Sequence, residues 1–104
     1  MRVRHEDFAM SPVEVTQKIY KFVGKTPTPR LLRWIKWTTE RGSGNNPYSV
    51  NRLASSVVMK WRKWYTFEQL DLVQQTCQAA MRTLNYTIFH SNEQMRNFQY
   101  TSFR

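Results

Sequence analysis

The sequence predicts a mostly helical chain opened by one short strand. Three observations carry that prediction. Cap-and-proline helix starts recur at Ser11-Pro12 and Thr28-Pro29, a capping box stands at Thr66-Phe67-Glu68-Gln69, and residues 2–5 alone have the character of a strand. One strand cannot satisfy its own hydrogen-bond ladder, so partners are expected elsewhere in a longer chain or in another one.

Residues 2–5 place Val3 between charged neighbours and lead into Glu6, Asp7 and Phe8. Ser11-Pro12-Val13-Glu14 then starts a helix: Ser11 caps, Pro12 suits the first helical position and Glu14 completes a capping box. Val15, Ile19 and Phe22 recur at helical spacing until Gly24, which predicts a helix over 12–23. Thr28-Pro29 opens a second helix with Leu31, Trp34, Ile35 and Thr38 on one side, ending before Gly42. Residues 40–48 hold turn formers and no apolar period, and read as a loop. A short helix is expected over 53–63. After the Thr66 cap, Leu70, Val73, Cys77, Met81 and Leu84 follow at steps of three and four and predict one continuous helix. Asn85 ends it, as the next best residue after glycine for the left-handed conformation. Beyond Tyr86 no pattern stands out.

The 104 residues suffice for one domain with a modest core. Sixteen Lys and Arg against seven Asp and Glu give a formal charge of +9, which favours a polyanionic partner: nucleic acid, a phosphorylated cofactor, a sulfated glycan or an anionic membrane. Trp34, Trp37, Trp61 and Trp64 argue for a packed chain and against a disordered basic tail. No apolar run approaches the roughly 20 residues that span a bilayer, and the start Met1-Arg2-Val3-Arg4-His5 has no hydrophobic signal core. Any secretory address is therefore expected outside this segment. The single Cys77 cannot form an internal disulfide and reads as a buried apolar helix position. Asn85-Tyr86-Thr87 fits the N-glycosylation acceptor pattern, which is usable in the secretory lumen.

The three glycines, Gly24, Gly42 and Gly44, make no phosphate-binding loop of the Walker or dinucleotide kind. His5, His90 and one cysteine give no metal-ligand spacing, so no metal is expected. Nothing favours a Ser-His-Asp arrangement. On a strand Glu6 and Asp7 point to opposite faces, so they read as a strand-ending turn satisfied by backbone donors or by Arg4. Two runs interleave aromatic and basic residues, one over 30–37 and one over 60–64. They suit stacking on bases and pairing with phosphates, and equally suit buried tryptophans with a solvated cationic side; composition leaves both open.

The order of motifs resembles the carbohydrate sulfotransferase family, in its galactose and N-acetylglucosamine 6-O-sulfotransferase branch. The run from Val3 through Glu6-Asp7-Phe8, then Ser11-Pro12 through Ile19-Tyr20 to Phe22-Val23-Gly24, is similar to that family's Arg-Tyr-Glu-Asp-Leu strand and the helix after it. Trp34-Ile35 with Thr38-Thr39, residues 48–62, the helix ending Leu84-Asn85-Tyr86, and the tail around Ser91 to Asn97 continue the likeness. Two departures stand out: Arg52-Leu53-Ala54 where the family has Arg-Asn-Ser, and Asn85 where it has glycine.

The resemblance implies transfer of a sulfuryl group from 3′-phosphoadenosine-5′-phosphosulfate to the 6-hydroxyl of galactose or N-acetylglucosamine in a glycan, without a metal. It implies a Golgi membrane protein whose P-loop-like α/β domain faces the lumen. Residues 1–104 are then the mostly helical C-terminal part of that single domain, and the loop that holds the phosphosulfate precedes them. Arg52 and Arg62 are the expected contacts to the donor's phosphates, a task that suits the arginine fork. No catalytic residue is assigned. Trp34, Trp61 and Trp64 are expected in the core, Arg30, Arg33 and Lys36 on a solvated face, and a glycan rather than nucleic acid as the partner. The rival reading is a small basic helical module that binds nucleic acid or sulfated glycan without catalysis.

Overall fold

Helices alone make up the regular structure of residues 1–41 and 53–103, the part of the chain that the computed structural model describes. These residues fall into two compact units, Met1–Val58 and Met59–Arg104.

In the first unit, residues 2–4 of the expected strand belong to no regular element, and α1 (His5–Met10) begins at its last residue. Arg4, the residue before the helix, is extended at φ −85°, ψ 149°, and its side chain makes no capping hydrogen bond. Its guanidinium forks onto Asp7 instead, Nε to Oδ2 at 2.8 Å and Nη2 to Oδ1 at 2.6 Å. That bidentate pair, with Glu6 and Asp7 in the positive first turn, gives a helix what a partnerless strand lacks. The hydrogen bonds from Arg4 hold the Asp7 carboxyl below the usual carboxylate range. Asp7 is thereby fixed as an anion, and the Glu6-Asp7 pair is no acid–base couple.

α2 (Pro12–Phe22) starts as expected but without the expected capping box. Ser11 also closes α1, donating its N–H to the Asp7 carbonyl at 3.0 Å, and its hydroxyl caps nothing; Glu14 pairs with Lys18 at 2.7 Å. Val15 and Thr16 are buried, whereas Phe22 is 66% exposed, so the apolar stripe stops short of the helix end. Gly24, at φ 71°, ends the helix with the Lys25 N–H on the Tyr20 carbonyl (2.8 Å) and its own on that of Lys21 (3.1 Å). A Cβ there would meet nothing within 4 Å, so its cost is that of the backbone alone. Gly24→Ala is expected to destabilise this unit by about 1–2 kcal/mol and Gly24→Asn by less, as measured by urea titration.

α3 (Pro29–Glu40) is capped by Thr28, whose hydroxyl accepts from the Leu31 N–H at 3.2 Å, and it ends before Gly42 as expected. Ile35 and Thr38 are buried, and the Thr38 hydroxyl donates back to the Trp34 and Ile35 carbonyls, each at 3.0 Å. The single helix expected over 53–63 is instead two short ones, α4 (Ala54–Val57) here and α5 (Trp61–Trp64) in the second unit.

In the second unit the Thr66 capping box forms as expected: the Thr66 hydroxyl accepts from the Gln69 N–H at 3.2 Å, and the Gln69 side chain accepts from the Thr66 N–H at 3.0 Å. The helix it starts is interrupted at Cys77 (φ −103°, ψ 16°) into α6 (Phe67–Thr76) and α7 (Gln78–Thr83). Leu70 and Gln74, four apart, form the inward face, while Val73 and Cys77 are exposed. The expected burial of Cys77 is thus corrected: it is exposed at the break that ends α6. Asn85 takes φ 56°, with the Tyr86 N–H on the Met81 carbonyl at 2.8 Å and its own on that of Arg82 at 3.2 Å, the same closure that Gly24 provides.

The tail, patternless in sequence, folds back. Tyr86 bridges Phe103 in antiparallel fashion, the Thr87 N–H reaches the Ser102 carbonyl at 3.0 Å, and α8 (Asn92–Arg96) starts from Ser91, whose hydroxyl accepts from the Gln94 N–H at 3.2 Å. Leu70, Phe89 and Met95 form the core, with Trp61 and Phe67 against it; Trp61 meets Phe89 edge-on at 6.3 Å between ring centres. Beyond the isolated bridge no strand occurs among the described residues. The helical expectation holds and the strand at 2–5 does not.

Candidate functional site

The cations decide where a polyanion can bind, and the fold sorts them into internal and available ones. Arg62 is internal. It is 0% exposed on α5, and its guanidinium donates from Nε to the Met95 carbonyl (2.7 Å), from Nη1 to the Tyr100 carbonyl (2.6 Å) and the Met59 sulfur (3.7 Å), and from Nη2 to the Gln94 (3.1 Å) and Asn97 (2.8 Å) carbonyls. An arginine has five donors, and all five are used. The rings of Phe89 and Phe98 lie 4.8 and 4.9 Å from its guanidinium carbon. Burial pushes its pKa below the ordinary guanidinium value.

Arg96 returns the arrangement from α8, donating to the Arg62 carbonyl and, at 3.0 Å, to that of Tyr65. Each arginine therefore satisfies carbonyls left open at the end of the other's helix. The expected role of Arg62 at the donor phosphates is corrected on this geometry, because no donor atom is left for a ligand. Arg52, the other expected contact, lies outside the described residues.

The two basic–aromatic runs have different fates. In the run over 60–64, Trp61 and Arg62 turn inward, Trp64 is 76% exposed and the Lys63 ammonium lies 5.7 Å from the Phe98 ring centre. In the run over 30–37, Arg30, Arg33 and Lys36 are exposed as expected, and Trp34 and Trp37 are exposed too, at 54% and 50%. The expectation that Trp34 and Trp64 pack into the core is corrected. α3 has one buried line, through Ile35 and Thr38, and α5 is a single turn whose inward positions go to Trp61 and Arg62.

Neither cleft near these elements makes a phosphate site. One of about 370 Å³ in the first unit carries Arg2 and Lys18 but also Asp7 and Glu14, and one of about 300 Å³ beside α6 carries Asp71, Gln75, Gln78 and His90. Their charges cancel or are of the wrong sign. No cluster of His, Cys, Asp or Glu among the described residues could hold a metal ion, and no helix among them is long and apolar enough to cross a membrane. Asn85, the glycosylation candidate, is exposed in the turn after α7.

Sequence reasoning missed Gln74 and Arg96. Gln74 is buried on α6, where its side-chain amide donates to the Phe89 carbonyl at 2.9 Å and its oxygen accepts from the Phe89 N–H at 2.8 Å. Its signal was a polar residue four after Leu70, on the face that packs. Arg96 ends a segment whose Ser91-x-x-Gln94 start is itself a capping pattern.

Among known proteins, the chain is 36% identical over 87 residues to carbohydrate sulfotransferase 3 of Tetronarce californica, covering 83% of this chain and 20% of the relative. It is 33% identical over 100 residues to carbohydrate sulfotransferase 1 of Homo sapiens (93% and 24%), and 35% over 100 residues to carbohydrate sulfotransferase 5 of Mus musculus (91% and 25%). The chain thus spans about a fifth to a quarter of the length of these relatives. No family model matches it. No solved structure matches it either.

Proposed function

We infer, from the premise that this chain belongs to the carbohydrate sulfotransferase family, that it forms part of an enzyme moving a sulfuryl group from 3′-phosphoadenosine-5′-phosphosulfate to the 6-hydroxyl of galactose or N-acetylglucosamine in a glycan. The observation that carries the reading is identity of 31–36% over 83–98% of the chain to proteins of that name. On this reading residues 1–104 are the C-terminal part of one domain. The cations that surround the moving group come from a preceding phosphosulfate loop, since in-line transfer is promoted by positioning and by charge stabilisation at the group in flight. Arg52 is the residue of this chain assigned to the donor's phosphates, and Arg62 is withdrawn from that role. The reaction takes place on the lumenal side of the Golgi membrane, where Asn85 accepts a glycan.

The test is labelled donor with galactose- and N-acetylglucosamine-terminated acceptors. The 104-residue chain alone is expected to transfer nothing, and the chain joined to the preceding portion of a relative is expected to transfer sulfate. In that completed domain Arg52→Ala weakens 3′-phosphoadenosine-5′-phosphate binding by about 1.5–3 kcal/mol, the worth of a charged hydrogen bond. Turnover by the chain alone, or none by the completed domain, would overturn the reading.

A further inference from the structure

We propose that the outward face of α3 is a binding site for an anionic oligosaccharide, held by Trp34 and Trp37 between the cations of Arg30 and Arg41. The proposal rests on the carbohydrate reading above for its ligand and on the fold for its place. Along α3 and its C-cap, Arg30, Trp34, Trp37 and Arg41 recur at steps of four, three and four, which puts them in one line down a helix. All four are exposed, while Ile35 and Thr38 on another side of the same helix are buried. A tryptophan half out of water costs apolar hydration, and two in one line beside cations are a patch that a ligand would cover.

The chemistry of the patch selects the ligand. α3 carries no acid before Glu40, and Arg33 and Lys36 join no ion pair among the described residues, so the line is flanked by uncompensated positive charge. An apolar peptide would leave these cations facing it unpaired. A sugar ring offers a flat C–H surface to an indole and holds its sulfate or carboxylate at the ring edge, where an arginine fork meets it. With a rise of about 1.5 Å per residue the two indoles lie about 4.5 Å apart along the axis and the end arginines about 16 Å apart, the reach of a short oligosaccharide lying along the helix. The acceptor chain, or its sulfated product, would be held there through groups other than the hydroxyl that reacts.

The test uses the chain itself, carrying Trp64→Phe to silence the other exposed indole. Its ligands are a lactosamine hexasaccharide sulfated on its 6-hydroxyls, the same hexasaccharide without sulfate and a single-stranded oligonucleotide of matched charge. The sulfated hexasaccharide is expected to shield tryptophan fluorescence from acrylamide, and Trp34→Ala/Trp37→Ala to weaken its binding about tenfold or more with the net charge unchanged. Arg30→Gln/Arg33→Gln is expected to weaken it and flatten its dependence on salt. Unchanged affinity in the tryptophan variant shows diffuse charge attraction and overturns the site, and preference for the oligonucleotide overturns it in favour of nucleic acid. Should the double alanine variant lose helical circular dichroism, the shielding measurement decides alone, and absent shielding overturns the proposal. Transfer by the completed domain is a separate readout. If it persists while the tryptophan variant binds normally, the site falls and the enzyme reading stands; if it is absent while tryptophan-dependent glycan binding is seen, the reverse holds.

Discussion

Arg62→Lys is expected to unfold the unit of residues 59–104 or bring it to the edge of unfolding. The guanidinium serves four backbone carbonyls and one sulfur from a single buried position. Lysine keeps the charge but has three donors on one atom, which cannot reach carbonyls distributed around a planar fork. At least two carbonyls would stay buried and unpaired at about 1–3 kcal/mol each, and the charge itself would be less well compensated. A loss of about 3–5 kcal/mol follows, which is of the order of the whole stability of so small a unit. Urea unfolding followed by the fluorescence of Trp61, packed against Phe89, measures it. The substitution also separates the two roles considered for this residue. An arginine whose main work is attracting phosphate would be replaced by lysine with the fold intact, so wild-type stability in the variant would refute the clip described here.

Where one turn of chain decides the outcome, the sequence was legible. The starts at Pro29 and Phe67 and the endings at Gly24 and Asn85 fall where caps and left-handed residues put them, because a cap bonds within three residues of itself and needs no tertiary partner; the start at Pro12 falls where its proline suits the first helical position, without a side-chain cap. Where a distant segment decides, it was not. Ser11 looked like a cap, but it must also close α1, which starts at the last residue of the segment read as a strand, runs through the residues read as a turn, and has its first turn held by the Arg4–Asp7 fork. Arg62 looked like a phosphate ligand because arginine suits both tasks, and the acceptors that settled the matter lie 32 to 38 residues away in the tail. The same distance hid Gln74, whose partner Phe89 is 15 residues on. Periodicity failed for a different reason. Leu70, Val73, Cys77, Met81 and Leu84 fit one stripe only on a continuous helix, and the break at Cys77 leaves Leu70 and Gln74 to do the packing. Of the candidate site, the positions of the cations could be read but not which of them the fold would consume.

Gln74→Glu is expected to make the second unit's stability depend on pH where the wild type shows no such dependence from this position. The wild-type amide both donates to and accepts from the backbone of Phe89, so the helix face and the segment carrying the core phenylalanine are tied as if by a short ladder. A glutamate carboxylate is acceptor-only: it keeps the bond from the Phe89 N–H, loses the one to the carbonyl and sets its charge against that oxygen. Position 74 is buried, so desolvation adds to this repulsion and raises the pKa of the folded variant above the unfolded value of about 4.3. Above that raised pKa the folded state must bury a charge, and the variant should be less stable than wild type by about 2–4 kcal/mol. As pH falls through the raised value the folded state takes up a proton that the unfolded state does not yet bind, so stability returns; it stops rising below the unfolded pKa, where both states are protonated. The neutral carboxylic acid has an O–H for the Phe89 carbonyl and an oxygen for the N–H, and so replaces the amide. Melting curves at about pH 8 and pH 5 for the variant, the wild type and Gln74→Leu check this. Gln74→Leu supplies neither bond at either pH, so it should be destabilised at both with no such recovery. A glutamate variant that tracks the leucine variant across that range would show that the two hydrogen bonds to Phe89 are not what fixes this helix to the core.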